Sequence, residues 1–465
     1  MEYITLNNIT ENNLKDVSVK IPLNKLVVVV GLSGSGKSSL IYEVLYNSAN
    51  EKNKYNIKNL PKTFAISQKV DIPKNSKLSL GEFNMSRLKE QIKKLEKGQL
   101  LIVDEPCAGF NKQQREEILA MLRKSVSEGK SIIAIEHVKE LIAGADYIIE
   151  MGPGAGKYGG KIIFQGNLNE FKKAKTLTSS YVFNSIKEST KNERFQKRKS
   201  LRLSNINRNN LKDFEIDFPL NSLIAISGPS GSGKSTILDI VYRALFKGQN
   251  AWKIRISDVK VDGKGEVRRS YLVTQSPLGS HHSSTPATYL GIWDEIRNIY
   301  SDLPEAKKLK LTKSDFVITS KILLGKDNFS NKILQVKYKN YSIQDLLTLT
   351  IDEVEKIFSD SNLIKRKLNL LQEIGLGYLV LNQPSNSLSG GEAQRVKLVK
   401  VLSKKLGDRS IYIFDTPSRG LHLSDIPVLV KVFRKIIDKN NTIVIADNRE
   451  ELLENCDKVI ELVKH

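Results

Sequence analysis

Residues 31–38 read GLSGSGKS, and residues 228–235 read GPSGSGKS. Both fit the pattern G-x-x-x-x-G-K-[ST], in which the backbone N–H groups of a glycine-rich turn curl around nucleotide phosphates. Each stretch follows a short apolar run, LVVVV or LIAIS, as expected of a phosphate loop that leaves a buried strand and opens a helix. Two such loops predict two nucleotide-binding units in one chain.

The two loops lie within a longer internal repeat. The stretch LNNITENNLKDVSVKIPLNKL from Leu6 matches LSNINRNNLKDFEIDFPLNSL from Leu203, and the loop lysines share that offset of 197 (234 − 37). KSIIAIEHVKELIAGADYIIEM at 130–151 matches NTIVIADNREELLENCDKVIEL at 441–462, an offset of 311 (441 − 130). The chain therefore contains two copies of one unit, and the second carries 114 additional residues (311 − 197) between these landmarks.

Each copy alternates short β-rich runs with longer amphipathic stretches, a pattern typical of a mostly parallel sheet flanked by helices. We therefore predict an α/β fold of two tandem phosphate-loop nucleotide-binding domains, the second with an inserted, mostly helical subdomain. Residues 1–169 form the first domain in this scheme, 170–199 a basic linker, and 200–465 the second domain. The insertion is placed at about 245–385.

The composition is strongly basic, with 73 Lys and Arg against 51 Asp and Glu, a net charge of +22. This excess indicates a polyanionic partner such as nucleic acid, although a general bias toward lysine would give the same number. Basic clusters occur at 191–200, 307–313 and 365–370, without interleaved aromatic residues that would indicate base stacking. The charge therefore favours contacts to a phosphate backbone.

Several classes of protein are disfavoured by the sequence. No apolar run approaches the ~20 residues of a membrane span, and the N-terminus lacks the pattern of a signal peptide. Cys107 and Cys456 are the only cysteines and lie in unrelated contexts, which argues against disulfides and cysteine-rich zinc modules. We expect a cytoplasmic protein with no membrane insertion and no zinc.

The phosphate loops and the residues that follow them are the predicted nucleotide-binding residues. They are Gly31, Leu32, Ser33, Gly34, Ser35, Gly36, Lys37, Ser38 and Ser39, with Gly228, Pro229, Ser230, Gly231, Ser232, Gly233, Lys234, Ser235 and Thr236. The two lysines should reach the β- and γ-phosphates of ATP, and the hydroxyls of Ser38 and Ser235 should ligate Mg²⁺.

Residues at later strand ends complete the predicted chemistry of the first copy. QLLIVDEP supplies Asp104 for the Mg²⁺ shell and Glu105 as the general base that orients the attacking water. His137, after SIIAIE, is predicted to contact the γ-phosphate, although a lone strand-end histidine is more often structural. Gln68 and Gln275, which end strands after the loops, could touch Mg²⁺ and the water, or simply be exposed polar residues.

A second glycine-rich signal precedes a helical stretch in the second copy. LSGGEAQRVKLVKVL begins at Leu388, and its Ser389, Gly390, Gly391 and Glu392 predict a helix N-terminus that binds anions. The first copy has LSLGEFNMSRLKEQI from Leu78, with Leu80 at the position of Gly390. A side chain there should crowd a backbone that approaches a γ-phosphate.

With phosphate loop, glutamine, LSGGE and DEP in this order, the chain resembles a pair of ABC-type ATPase domains. Within that superfamily it resembles the UvrA family, the damage-recognition subunits of bacterial excinucleases. The stretches that carry this resemblance, besides the first phosphate loop and its flanks, are MGPGAGKYGGKIIFQG (151–166), QSPLGSHHSSTPATYLGIWDEIR (275–297), IKRKLNLLQEIGLGYLVLNQPSNSLSGGEAQRVKL (364–398) and GLHLSDI (420–426).

The resemblance implies that the domains pair head to tail, so that each phosphate loop is covered by the signature of the other copy. The first site then keeps all its parts and is capped by Ser389, Gly390 and Gly391. The second keeps Lys234, Ser235 and the Mg²⁺ ligand Asp415. Its three departures are listed together: Thr416 in place of the glutamate, Asn448 in place of the histidine, and Leu80 in the cap. We therefore predict one site that hydrolyses ATP and one that only holds it.

The chain also departs from the UvrA pattern. It lacks the cysteine pairs of the zinc modules, and only 42 positions (79 − 37) separate Lys37 from Ser79, so the domain that docks UvrB is missing. We predict an ATPase that binds damaged or drug-modified double-stranded DNA in an ATP-dependent manner, with residues 300–370 as candidates for the DNA face. Homodimerisation is implied by resemblance, and UvrB recruitment is doubtful.

Three alternative functions stay open at this point. A shortened UvrA-like protein could be an accessory protein that confers self-resistance to DNA-binding drugs. An ATPase subunit of a membrane transporter would need a membrane partner and would bind DNA weakly. A ribosome-binding ABC protein would normally have a long helical linker between its domains, whereas 170–199 is short and lacks sustained apolar heptads.

Overall fold

The computed structural model describes residues 2–51, 53–67, 80–183, 199–246, 256, 258–273, 278, 284–323, 325–403 and 408–463. The chain divides into two compact units, Met1–Leu272 with Arg409–His465, and Val273–Asp408. The first unit contains both copies of the repeat, and the second unit lies within the sequence of the second copy. Each unit is described by itself.

The first copy is built on a six-stranded sheet with a separate antiparallel pair. Its strands are β1 Tyr3–Ile9, β2 Val17–Pro22, β3 Leu26–Gly31, β4 Thr63–Ile66, β5 Leu100–Asp104, β6 Ser131–Ile135, β7 Tyr147–Gly152 and β8 Lys161–Asn167. The sheet order is β4-β5-β6-β3-β7-β8, parallel except for β8, while β1 pairs with β2. The phosphate loop leaves strand β3, which is fully buried because residues 39–46 and the β1–β2 pair cover one face of the sheet and helices cover the other.

The second copy repeats this topology. The remaining strands are β9 Ser200–Arg208, β10 Leu211–Pro219, β11 Leu223–Ser227, β12 Lys260–Asp262, β13 Arg269–Val273, β14 Lys337–Tyr338, β15 Tyr341–Ser342, β16 Ser410–Asp415, β17 Thr442–Ala446 and β18 Lys458–Glu461. The order β13-β16-β17-β11-β18 matches β4-β5-β6-β3-β7 of the first copy, and β10-β9-β12 forms the antiparallel sheet. The predicted duplicated α/β architecture is confirmed.

Helices flank both sheets of the first unit. They are Asn47–Asn50, Leu80–Lys94, Lys112–Ser127, Lys139–Ala143, Leu168–Lys173, Leu177–Phe183, Lys234–Leu245, Asp425–Ile437 and Glu450–Leu453, with 3₁₀ turns at Gly156–Tyr158 and Lys264–Glu266. The helix after the first phosphate loop, Ser39–Tyr46, is a π-helix, whereas its counterpart Lys234–Leu245 is a regular α-helix. The two copies therefore differ directly behind their phosphate loops.

The second unit is mostly helical, as predicted. Its helices are Pro286–Tyr289, Ile292–Asp302, Pro304–Lys308, Ser320–Leu323, Asn331–Leu334, Ile351–Ile357, Asn362–Glu373 and Gly390–Ser403, with 3₁₀ turns at Lys313–Phe316, Asp345–Leu347 and Ser385–Ser387. Its described strands are the short hairpin β14-β15. Nowhere in the described parts of the chain is a helix both long and apolar enough to cross a membrane.

The domain boundaries differ from the sequence-based scheme at two places. Residues assigned to the linker from 170 onward form parts of two helices, Leu168–Lys173 and Leu177–Phe183, whose Phe171, Thr178 and Ser179 are buried. The first domain therefore extends to at least Phe183. Buried threonine and serine residues do not contribute to the hydrophobic pattern from which a buried helix is predicted. They can be buried because their hydroxyl groups form hydrogen bonds inside the fold.

The inserted unit starts and ends later than predicted. Strand β12 pairs with β9, and β13 joins the main sheet, so residues 260–272 belong to the duplicated core. At the other end, the signature helix Gly390–Ser403 lies inside the second unit, which ends at Asp408. The predicted insertion of about 245–385 is thus corrected to Val273–Asp408.

Candidate functional site

The two phosphate loops have the same backbone conformation. Left-handed φ angles occur at equivalent glycines: Gly31 (135°), Gly34 (75°) and Gly36 (104°), and Gly228 (143°), Gly231 (83°) and Gly233 (99°). A Cβ atom at Gly31 would lie 2.2 Å from the carbonyl oxygen of Met151, and one at Gly228 would lie 2.5 Å from that of Leu462. Glycine is required at both positions because neither the angle nor the space suits another residue.

Both loop lysines fold back onto their own loops. The Nζ atom of Lys37 donates to the carbonyls of Gly31 at 2.8 Å and Leu32 at 2.9 Å. The Nζ atom of Lys234 donates to the equivalent carbonyls of the second loop at 2.5 and 2.7 Å. Burial lowers the pKa of Lys234 to about 8, opposed by the nearby carboxylates of Asp415 and Asp447. Both loops thus hold a lysine amino group in the same position, where it can contact a phosphate.

The predicted Mg²⁺ ligands lie at the carboxyl ends of β5 and β16. Burial raises the pKa of Asp104 to about 7, the charge of Glu105 adds to this shift, and Lys37 opposes it. Burial likewise raises the pKa of Asp415. The hydroxyl of Ser235 donates to Oδ2 of Asp415 at 3.3 Å, so the two predicted Mg²⁺ ligands of the second copy lie next to each other. Carboxylate and hydroxyl oxygens are the hard donors that Mg²⁺ prefers, and they fit this ion.

The position of the predicted general base has an unusual backbone in both copies. Glu105 has a φ of 48° and Thr416 a φ of 49°, left-handed values that cost a non-glycine residue ~1 kcal/mol or more. Both amides are held by the neighbouring strand, because Glu105 donates to Ile135 at 2.9 Å and Thr416 to Ala446 at 2.8 Å. The second copy therefore keeps the geometry of the base position but has lost the carboxylate.

His137 is buried at the end of β6, next to the first loop. Burial lowers its pKa well below the usual value, and the positive charge of Lys37 lowers it further, so the ring is neutral. Its amide donates to Oε2 of Glu136 at 2.6 Å, and its carbonyl accepts from Nη2 of Arg449 at 2.9 Å. The His422 ring meets the His137 ring edge to face, with centroids 5.9 Å apart. The backbone of His137 is thus fixed from both copies.

Asn448 occupies the position of His137 in the second copy and makes different contacts. Its Oδ1 accepts from the amide of Gly228 in the second phosphate loop at 2.9 Å. Its Nδ2 donates to the carbonyl of Gly109 in the first copy at 2.9 Å, and its own carbonyl accepts from Nη2 of Arg115 at 3.0 Å. The carboxamide therefore joins the second phosphate loop to the turn that follows Glu105.

A small cavity of about 40 Å³ lies between these strand-end turns of the two copies. Its lining contains seven pairs of residues that are each 311 positions apart: Glu105 and Thr416, Cys107 and Ser418, Ala108 and Arg419, Gly109 and Gly420, Glu136 and Asp447, His137 and Asn448, Val138 and Arg449. The strand ends of the two copies thus face each other across a local two-fold arrangement.

Sequence reasoning missed several residues of this region. Glu136 accepts from the amide of Cys107 at 2.9 Å, and Asp447 accepts from the amide of Ser418 at 3.0 Å, so both acids fix the turn after the base position. The offset of 311 pairs these two acids and could have revealed them. Arg449, which pairs with Val138 in the repeat, carried no such signal.

The altered signature of the first copy lies against the second phosphate loop. The helix Leu80–Lys94 begins there, and a Cβ atom at Gly81 would lie only 2.3 Å from Oγ of Ser230. A Cβ atom at Gly231 would lie 2.9 Å from Oε1 of Glu82. This contact is the one that head-to-tail pairing predicts for the second site. Residues 78–79 and the side chain of Leu80 lie outside the described residues.

The intact signature opens a capped helix in the second unit. Oε2 of Glu392 accepts from the amide of Ser389 at 2.8 Å, and Oγ of Ser389 accepts from the amide of Glu392 at 3.3 Å. Gly391 is buried at the start of this helix, Gly390–Ser403. That this signature covers the first phosphate loop stays a prediction. Gln68 and Gln275 lie outside the described residues.

Comparison with known proteins finds similarity to the ABC transporter family and to UvrA proteins. Residues 211–419 match the ABC transporter family. The chain is 32% identical over 469 residues to UvrABC system protein A of Aquifex aeolicus, covering 92% of this chain and 50% of that protein. It is 33% identical over 416 residues to the protein of the same name from Clostridium acetobutylicum, covering 83% and 44%. The chain spans about half the length of these curated relatives.

Solved structures share the fold over nearly the whole chain. The crystal structure of UvrA2 from Deinococcus radiodurans superposes with a TM-score of 0.87 at 20% identity, covering 99% of this chain and 95% of that one. A structure named RNase-L Inhibitor gives a TM-score of 0.51 at 17% identity, covering 99% and 88%. At these identities the likeness concerns the fold.

Proposed function

We propose that this chain, which is similar to UvrA proteins over most of its length, is an ABC-type ATPase that hydrolyses ATP at one of two unlike sites and uses this cycle to control its grip on double-stranded DNA. One observation carries the asymmetry. Glu105 and Thr416 hold the same left-handed backbone position, but only Glu105 has a carboxylate that can orient water.

The first site supplies a complete set of groups for hydrolysis. Lys37 would bind the β- and γ-phosphates, and Ser38 and Asp104 would hold Mg²⁺, which neutralises charge that develops on the phosphates. Glu105 would orient and deprotonate the attacking water. The neutral, buried His137 can donate a hydrogen bond to a γ-phosphate oxygen without adding charge. The intact signature Ser389–Gly391 would close the site.

The second site is proposed to hold ATP without cleaving it. Its loop has the conformation of the first loop, and Ser235 adjoins Asp415, so MgATP can bind. Thr416 cannot act as a base, and loss of such a group typically costs at least ~100-fold in rate. Asn448 is already engaged with Gly228 and Gly109 and is not a substitute for the histidine.

DNA binding is supported by charge and by family. The net charge is +22, and Lys307, Lys308 and Lys310 are exposed in the 300–370 segment that we propose as a DNA face. Contacts from such residues to the phosphate backbone do not depend on sequence, and they release counterions. A damaged or drug-modified duplex would be distinguished by its altered deformability rather than by base edges.

The protein would act without the hand-off to UvrB that its longer relatives' system name implies. Only 42 positions (79 − 37) separate the first phosphate loop from Ser79, which leaves no room for a docking domain. This observation favours a second candidate function, an accessory protein that protects the cell against DNA-binding drugs. Both functions require ATP-dependent DNA binding, and a homodimer is proposed by family resemblance alone.

One experiment tests this function. DNA binding by the purified full chain is measured with and without MgATP, on intact, lesion-bearing and drug-treated duplexes, over a range of salt concentrations. We expect ATP-dependent binding that weakens steeply with salt and favours one of the modified duplexes. Preference for the drug-treated duplex alone would favour the accessory function. Weak binding to all three, independent of ATP, would reject both.

A further inference from the structure

A chain of buried polar side chains leads from strand β7 to the first nucleotide site. Oε1 of Glu150 accepts from the hydroxyl of Thr178 and, at 3.3 Å, from the amide of the same residue. The Thr178 Oγ1 atom lies 2.8 Å from Nε2 of His422, whose ring meets His137 edge to face. All four residues are at most 5% exposed. The chain therefore connects both copies of the repeat within one core.

The hydrogen bonds fix the protonation state of His422. Its Nδ1 accepts from the amide of Ser424 at 3.2 Å and lies 2.8 Å from the hydroxyl of the same residue, which can donate to it as well, so the bonds place the proton of the neutral ring on Nε2. Nε2–H then donates to Oγ1 of Thr178, and the hydroxyl of Thr178 donates to Glu150. Each donor in the chain has its acceptor, and only one orientation of the His422 ring satisfies all three bonds.

The arrangement exists on one side only. The residue 311 positions after Glu150 is Glu461, which is exposed, whereas Glu150 is 2% exposed. The residue 311 positions before His422 is Asn111, whose side chain caps the helix Lys112–Ser127. A structural requirement of the duplicated fold would apply to both copies. This network instead accompanies the copy that keeps the glutamate and the histidine.

We propose that Glu150, Thr178 and His422 are positioning residues that hold the ring of His137 toward the γ-phosphate at the first site. This inference rests on the proposed hydrolysis at that site. The backbone of His137 is already fixed by Glu136 and Arg449. Among the described residues its buried Nδ1 has no hydrogen-bond partner, so contact with the His422 ring is left to set the angle of the side chain.

This relay, the contacts that run from Glu150 through Thr178 and His422 to His137, would also make the helix Leu177–Phe183 part of the catalytic architecture. Thr178 lies on this helix, in the segment that the sequence assigns to the linker. A movement of the helix would release His422 and thereby the ring of His137.

Matched variants of the helix test the proposal. Thr178→Val keeps the shape but removes the hydroxyl, Thr178→Ser restores it, and Ser179→Ala removes a neighbouring buried hydroxyl that bonds to the carbonyl of Phe171 instead. The activity measured is the ATP turnover that is lost in Glu105→Gln. We expect Thr178→Val to lower the kcat of this turnover about tenfold and to leave KM unchanged. This is the result expected when a variant loses an interaction that is made only in the transition state. Thr178→Ser and Ser179→Ala should stay within about twofold of wild type.

Coupling between the residues gives a second readout. Because Thr178 acts through His422, the double variant Thr178→Val with His422→Asn should fall no further than either single variant. Equal losses of kcat for Thr178→Val and Ser179→Ala would overturn the proposal, since both would then report only a weakened helix. Independent, multiplying losses in the double variant would overturn it as well.

Spectroscopy separates this inference from the proposed hydrolysis. The protein has five histidines, so NMR of isotope-labelled histidine in the full chain can resolve the rings. We expect a neutral His422 with the proton on Nε2, and a shift of the His137 signals in Thr178→Val. A proton on Nδ1 of His422, or unchanged His137 signals, would refute the relay. Absence of turnover in the wild type would instead refute the proposed hydrolysis and leave the NMR result decisive for the relay.

Discussion

The two nucleotide sites share a backbone but differ in chemistry. Both phosphate loops have the same glycine angles, and Glu105 and Thr416 adopt nearly the same φ of 48° and 49°. At the next strand end, the ring of His137 packs against His422, whereas the carboxamide of Asn448 bonds to the second phosphate loop and to the first copy. The backbone geometry is the same at both phosphate loops, while the glutamate and histidine that we propose to act on water and phosphate are present only in the first copy.

We propose that the second site affects the first without hydrolysing ATP itself. Asn448 bonds to Gly228 in its own loop and to Gly109, four positions (109 − 105) after Glu105. Arg115 of the first copy bonds to the carbonyl of Asn448, and Arg449 of the second bonds to that of His137. These bonds between buried groups are the route by which we propose that nucleotide at the second site affects the first.

The largest expected effect separates the two base positions. Glu105→Gln should lower ATP turnover at least ~100-fold, because the amide cannot deprotonate water. The matched change Thr416→Gln should leave turnover within about twofold, because that position contributes no base. Steady-state phosphate release measures both variants. Substantial hydrolysis that survives Glu105→Gln would show that the second site also reacts.

A smaller effect is expected at the residue that joins the two sites. Asn448→Ala removes the bonds to Gly228 and Gly109, and we expect turnover at the first site to fall about fivefold, the equivalent of ~1 kcal/mol for the lost bonds. Asn448→Asp keeps the acceptor for Gly228 but loses the donor to Gly109. Full activity in both variants would mean that the sites work independently.

Parts of this comparison could be predicted from sequence, because the information is local. The loops, the strand-end acids and the three departures of the second site follow from motifs and from the alignment of the two copies of the repeat. The contact between Thr178 and His422 could not be predicted, because it joins residues 244 positions apart. The sequence assigns the helix that carries Thr178 to the linker, because the buried residues of this helix bear hydroxyl groups rather than apolar side chains.

The smallest effect concerns pH and the buried rings. Burial lowers the pKa of His422 to about 3, below the ~6.5 of the unfolded chain, so the folded state binds fewer protons below pH ~6.5. The contribution of His422 to the free energy of unfolding is therefore fully present above pH ~6.5. It falls by ~1 kcal/mol between pH 6.5 and 5.5.

The variant His422→Asn isolates this contribution. Burial raises the pKa values of Asp104 and Glu136 to about 7, and these acids stabilise the fold in the opposite direction as the pH falls. The difference between the unfolding free energies of wild type and variant, measured at several pH values with denaturant, removes their effect. A difference that is constant from pH 7 to 5.5 would contradict a neutral, buried His422.

The most direct test of the unlike sites is to identify the nucleotides that one chain retains. The full chain is incubated with radiolabelled MgATP, free nucleotide is removed rapidly, and the bound ATP and ADP are counted per chain. The account predicts one ADP and one uncleaved ATP, with loss of the retained ATP in Lys234→Ala. Two ADP per chain, or ATP retained equally in Lys234→Ala and wild type, would contradict it.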